Sequence, residues 1–117
     1  MTLRDIAGIL KADVLTGADK LDNEAERFCG TDMMSEALAF NDHEAVLFTG
    51  LCNLQAIRTA EMLDVRCLIF VRGKHPTAEM LEMAEENGLV VFATPFSMFT
   101  ACGMVYEAGG RGWTSEM

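Results

Sequence analysis

Three apolar runs dictate what this chain can fold into. EAVLFTG, RCLIFVRG and LVVFA are nearly continuous in apolar residues, and each is followed by a stretch with helical periodicity. Their starts lie roughly 22 residues apart, room for a strand and a returning helix. A strand that is apolar on both sides of its pleat is buried on both faces, the habit of parallel sheets covered by helices. Strand, helix, strand in this rhythm is the βαβ unit, with right-handed crossovers. The expected fold class is α/β, a three-layer sandwich around a mostly parallel central sheet.

The segments around these runs have their own signals. LCNLQAIRTAEMLD predicts a helix that turns Leu54, Ile57, Ala60 and Leu63 inward. PTAEMLEMAEEN predicts another, with Pro76 in its first turn and Gly88 just past its end. Thr94-Pro95 opens a helix over FSMFTACGMVYEAG. Near the start, Thr2 and Asp5 have capping-box spacing, and Leu3, Ile6, Ile9 and Leu10 form the stripe of a short helix. Val14 to Thr16 reads as a short strand closed at Gly17. EAERFCG alternates, so it is expected to be an edge strand ending at Cys29 and Gly30, with Glu26 toward solvent and Phe28 toward the core. Asp32 is placed to cap the helix MMSEALAF, whose apolar face is Met33, Met34, Ala37 and Leu38. One domain over residues 1–109 is expected, with residues 110–117 as a flexible tail carrying Trp113.

Composition narrows the function classes. A chain of 117 residues suits one domain and leaves little volume for a deep catalytic cleft. Its net charge of −9 repels polyanions, so nucleic acid and anionic membrane surfaces are poor partners. The four cysteines, Cys29, Cys52, Cys67 and Cys102, have no Cys-x-x-Cys spacing. No secretory leader or membrane-length apolar run is visible, so the thiols are expected to be reduced and the protein cytoplasmic. Nine methionines suit an adaptable core or an apolar face that meets a partner.

In open parallel sheets, ligands bind beyond the C-terminal ends of the strands. Here those ends carry Gly30-Thr31, Thr49-Gly50, Arg72-Gly73-Lys74 and Thr94-Pro95, each followed by a helix start. Helix amino ends offer unpaired N–H groups to phosphate or carboxylate, and Arg72 and Lys74 add positive charge. With Cys52 and Asn53 these loops give the candidate ligand-binding residues: Gly30, Thr31, Thr49, Gly50, Cys52, Asn53, Arg72, Gly73, Lys74 and Thr94. Glycine and threonine here have an equally direct structural use, closing strands and capping helices. Neither G-x-x-x-x-G-K-S/T nor G-x-G-x-x-G occurs after a strand, so no ATP-using machinery and no cofactor is called for.

Cys52 stands at a predicted helix start, where the dipole lowers a thiol pKa, making it a candidate nucleophile or redox sensor. A base would have to be histidine. His43 and His75 fall at opposite ends of the sheet, so only His75 is near it. Cys29, Cys52 and Cys102 with His75 lack the paired close spacings of a zinc site, and no metal is expected. Glu79, Glu82, Glu85 and Glu86 read as the solvated face of one helix.

Over about residues 2–109, the pieces CGTDMMSEAL, EAVLFTG and CLIFVRGKHPTAEMLEMAEENGLVVFATPFSMFTA resemble the DRTGG domain family, and through it the N-terminal domain of HPr kinase/phosphorylase. Where that family has Asp-Arg-Thr, this chain has Leu51-Cys52-Asn53. Where it has Thr-Gly-Gly, this chain has Val71-Arg72-Gly73 and keeps only the glycine. The resemblance implies an α/β fold, a regulatory rather than catalytic role and a tendency to homodimerise. In family members linked to CBS domains it implies a position near an adenine-nucleotide site. Stand-alone members look like companions of redox or hydrogenase systems.

Three readings follow. The first is a non-catalytic regulatory homodimer that binds a small anion, an adenine nucleotide among the candidates. The second is an interaction module that docks on a larger, redox- or hydrogenase-related enzyme. The third is a small enzyme that uses Cys52.

Overall fold

The capping box forms as its spacing predicts. In a computed structural model that describes residues 1–40 and 44–112 (Phe40 by its backbone alone), the Thr2 hydroxyl accepts from the Asp5 N–H and the Asp5 carboxylate accepts from the Thr2 N–H. Helix α1 (Leu3–Ile9) follows, and then strand β1 (Asp13–Thr16). After a short 3-10 turn come β2 (Phe28–Gly30), α2 (Met34–Phe40), β3 (Val46–Thr49), α3 (Leu54–Leu63), β4 (Cys67–Phe70), α4 (Ala78–Glu86), β5 (Val91–Ala93) and α5 (Met98–Glu107).

The sheet order is β1-β5-β4-β3-β2. β2, β3, β4 and β5 run parallel, as the apolar runs require, and β1 joins β5 antiparallel. β2 is an edge strand, as its alternation predicts. The chain is an α/β three-layer sandwich. Successive side chains of a strand point to opposite faces. Leu47, Leu68, Phe70 and Val91 therefore pack under α2, α3 and α4, while Val46, Phe48, Cys67, Ile69 and Phe92 pack under α1 and α5.

Two threonine hydroxyls tie the sheet's β1 end together. Thr16 Oγ1 donates to the Leu89 carbonyl at 2.7 Å, and Thr94 Oγ1 donates to the Leu10 carbonyl at 2.7 Å. Both residues are buried, so each bond satisfies a carbonyl that has no water to turn to.

The structure corrects several local expectations. Among its described side chains α2 buries Met34 and Ala37, while Met33 is 61% exposed and Leu38 40%. A seven-residue helix over the outer strands has a narrow contact strip, and the periodicity overstates it. Pro76 lies before the cap of α4, because Thr77 accepts from the Met80 N–H and is itself the N-cap. α5 starts at Met98 with Ser97 as its cap, later than Thr94-Pro95 suggests. Gly110 and Arg111, expected in a loose tail, are tied down: Gly110 is buried, and the Arg111 carbonyl accepts from the Phe28 N–H at 2.9 Å. Trp113 and His43 lie outside the described residues.

Candidate ligand-binding site

Parallel pairing puts the carboxyl ends of four strands on one edge of the sheet. Gly30 sits opposite Phe48, Thr49 opposite Phe70, and Phe70 opposite Ala93. The loops that start at Gly30, Gly50, Val71 and Thr94 thus leave side by side.

The loop after β3 is filled from within. The Asp32 carboxylate accepts from the Gly50 N–H at 2.6 Å and from the Thr49 hydroxyl at 3.3 Å. Asp32 therefore does not cap α2, as local sequence predicts; Thr31 receives the Met33 N–H instead, at 3.0 Å. Thr49 is fully buried, and its Oγ1 also accepts from the Leu51 N–H at 3.1 Å. An anion arriving at these N–H groups would meet a carboxylate already in place. A Cβ at Gly50 would lie 2.5 Å from a terminal guanidinium nitrogen of Arg72, whose exposed side chain can move aside, and 3.3 Å from Asp32 Oδ1.

The loop after β4 is open. Arg72 and Gly73 both adopt left-handed backbone, with φ of 61° and 70°. Their N–H groups are held by the Phe96 and Thr94 carbonyls, at 2.7 and 3.0 Å. That fold-back sends the Arg72 guanidinium over Gly50 and leaves Lys74 and His75 exposed. Thr94 is buried, and its hydroxyl is engaged with Leu10 and the Phe96 N–H, so it braces this loop.

Beyond the loops, the amino ends of α3 and α4 meet. Asn53 caps α3 by accepting from the Ala56 N–H at 3.0 Å, and Thr77 caps α4. Between them lies a shallow cleft of about 650 Å³ lined by Cys52, Asn53, Leu54, Gln55, Thr77 and Glu79. The caps take up the Ala56 and Met80 N–H groups, and the other first-turn N–H groups have no acceptor within their helix. Gly30 and Thr31 belong elsewhere, lining a separate cavity of about 320 Å³ at the free edge of β2.

A profile of the DRTGG domain family matches residues 5–108. The chain belongs to the DRTGG domain family. No curated protein matches it. Among solved structures it is similar to the CBS and DRTGG domains of the regulatory region of Clostridium perfringens pyrophosphatase, complexed with the activator diadenosine tetraphosphate. The TM-score is 0.67 at 23% identity, covering 89% of this chain and 45% of that one. This chain thus spans less than half the length of that neighbour, and the likeness is one of fold. No helix among the described residues is long and apolar enough to cross a membrane.

In this DRTGG domain burial governs the thiols. Burial pushes the Cys52 thiol up from its ordinary range, and the nearby Lys74 charge lowers it only in part. This reverses the expectation from the helix dipole: desolvation outweighs a helix end that Cys52 precedes rather than joins. Burial also raises Cys102, and raises the fully buried Cys67 further. Cys29 and Cys52 pack on one face of the sheet and Cys102 on the other. No group of three metal-ligating side chains forms among the described residues. Glu79, Glu82, Glu85 and Glu86 are all exposed.

Sequence reasoning missed two residues that shape this DRTGG rim, Asp32 and Thr77. The Thr77 to Met80 spacing is a legible cap signal just after a proline. Asp32 has no such signal, since an Asp before an apolar helix looks like a cap whatever it does in the folded protein.

Proposed function

We propose that this DRTGG domain is a non-catalytic regulatory module that binds a small anionic ligand in the cleft between the amino ends of α3 and α4. An adenine nucleotide is the first candidate. The observation that carries this reading is the meeting of two capped helix starts in one cleft, with Lys74 near enough to act on the Cys52 thiol that lines it, in a protein whose net charge is −9. Two helix dipoles and the nearby Lys74 favour phosphate there, against the single carboxylate of Glu79 in the lining. The neighbour from C. perfringens pyrophosphatase was crystallised with a nucleotide activator in a regulatory region, which supports the choice of ligand class.

Within the candidate set, Cys52, Asn53, Arg72, Gly73 and Lys74 form the binding loops. Thr49, Gly50 and Thr94 act as their supports. The raised Cys52 thiol argues against a cysteine nucleophile.

The test is a thermal-shift screen with AMP, ADP, ATP and diadenosine tetraphosphate. A ligand well above its Kd raises Tm by several degrees, through mass action on the native state. Lack of any shift at millimolar nucleotide overturns the reading.

A second reading has its own support. Met62 and Phe99 are exposed, Phe99 by 88%, which suits a homodimer or docking onto a larger partner. Sedimentation at tens of micromolar, roughly where weak dimers form, separates a dimer from a monomer that waits for another protein.

A further inference from the structure

The cavity at the free edge of β2 has no part in the cleft between α3 and α4. On β2, the Arg27 carbonyl accepts from the Val46 N–H and the Thr31 N–H donates to the Phe48 carbonyl. Backbone groups of a strand alternate in direction, so residues 27, 29 and 31 face β3, and Phe28 and Gly30 face outward. The Phe28 N–H is taken by the Arg111 carbonyl at 2.9 Å. That leaves the Phe28 carbonyl and both backbone groups of Gly30 pointing outward, without a partner among the described residues. The cavity of about 320 Å³ opens on these groups. Its walls include the rings of Phe28 and Phe48, and at its lip the Arg111 guanidinium lies 4.1 Å from the centre of the Tyr106 ring. A side chain at Gly30 would press on Cys102 Sγ at 3.0 Å and Met98 Sδ at 3.1 Å, so glycine lets the strand lie close against α5.

We propose that this cavity binds an adenine-type base, a flat heterocycle with a ring-nitrogen acceptor next to an amino donor. The Phe28 carbonyl and the Gly30 N–H are neighbours on one side of an extended strand, as an amino group and the adjacent ring nitrogen are on one edge of adenine. The amino group donates to the carbonyl and the ring nitrogen accepts from the N–H, while the half-buried Phe28 ring and the exposed Tyr106 ring in the lining offer aromatic surface to the base. The volume is at the small end of ligand pockets, the size class of a base or nucleoside. An added peptide strand fits less well. It needs a run of outward backbone groups, and here Arg111 closes one end while Gly30 is the last residue of β2. The recognition needs no phosphate and so stands apart from the function proposed above.

The experiment is titration of the isotope-labelled full chain with adenosine, followed by amide NMR. The Gly30 amide proton is expected to move downfield and to exchange more slowly with solvent. N6,N6-dimethyladenosine, which has no amino proton to donate, is expected to bind at least tenfold more weakly. Amides of Asn53 and Gln55, which line the cleft between α3 and α4, are expected not to move with adenosine, which separates this site from that cleft. Cys102→Phe, which fills the cavity, is expected to abolish binding; if that variant does not fold, the dimethylated analogue decides alone. The proposal is overturned if the Gly30 amide is unmoved at millimolar adenosine, if the dimethylated analogue binds within twofold of adenosine, or if a folded Cys102→Phe binds normally.

Discussion

The loops after β3 and β4 leave the same sheet edge one strand apart, yet they are finished in opposite ways. The first is satisfied by the protein itself: Asp32 occupies the Gly50 N–H and the Thr49 hydroxyl. The second turns its N–H groups inward to Thr94 and Phe96, through two left-handed residues, and presents Lys74 and His75 to solvent. Glycine-ended strands therefore do not by themselves make an anion site. Both loops satisfy their N–H groups from within; what differs is what remains at the surface, a carboxylate beside the first and the exposed Lys74 and His75 on the second.

Breaking the closed loop should have the largest effect. Asp32→Ala leaves the buried Gly50 N–H without an acceptor and should cost roughly 1–3 kcal/mol of stability, read by urea denaturation. Added sulfate should recover part of that loss by taking the vacated position. A change within about 0.5 kcal/mol, the usual range for surface substitutions, would erase the contrast between the loops.

The open loop should behave the other way. Arg72→Ala with Lys74→Ala should weaken nucleotide binding about tenfold, which is about 1.4 kcal/mol, while the urea midpoint stays nearly fixed. Calorimetry on the double variant checks the first half of that statement. Gly73→Ala is a third probe. Nothing crowds a Cβ there, but φ is +70°, so the cost should be about 1 kcal/mol from backbone conformation alone.

The smallest effect concerns Cys52, which lies between the loops. Its thiol should react with iodoacetamide more slowly than an unfolded cysteine at pH 8. Lys74→Ala should slow it further, because the lysine charge is what lowers the thiol pKa. The same burial makes stability fall on the alkaline side. Cys52, Cys67 and Cys102 hold their protons more tightly folded than unfolded, where a thiol ionises near its ordinary 9.0. Their contribution is complete below that pH and is lost as pH rises through the folded values. Urea midpoints at pH 8 and pH 10 in reductant check this, and Cys67→Ala should flatten the slope.

Much of the fold was legible because it rests on repeating local signals. Apolar runs such as CLIFV fix buried parallel strands, and the Thr2–Asp5 spacing fixes the first helix start. What escaped depends on contacts distant in sequence. Asp32 serves Gly50, eighteen residues on, where no local pattern can point. Met33 and Leu38 obey helical periodicity yet face solvent, because α2 covers only the outer strands. Cys52 was assigned a lowered pKa from its place near a helix start, whereas burial by neighbouring elements governs it. The cavity beside β2 exists only because the chain returns at Arg111 to close one end.

The hydroxyl ties of Thr16 and Thr94 join residues 73 and 84 positions apart. β1 cannot take its place in the sheet until β5 has been made, since among the described residues β5 is the strand it pairs with. Leu3, Ile6 and Leu10 pack in one core with Val90 and Phe92, so their burial waits on the same late strand. Closure of so wide a loop is entropically slow. The four parallel strands can pair in the order in which they are made, and the first strand of the chain is the last to find its place.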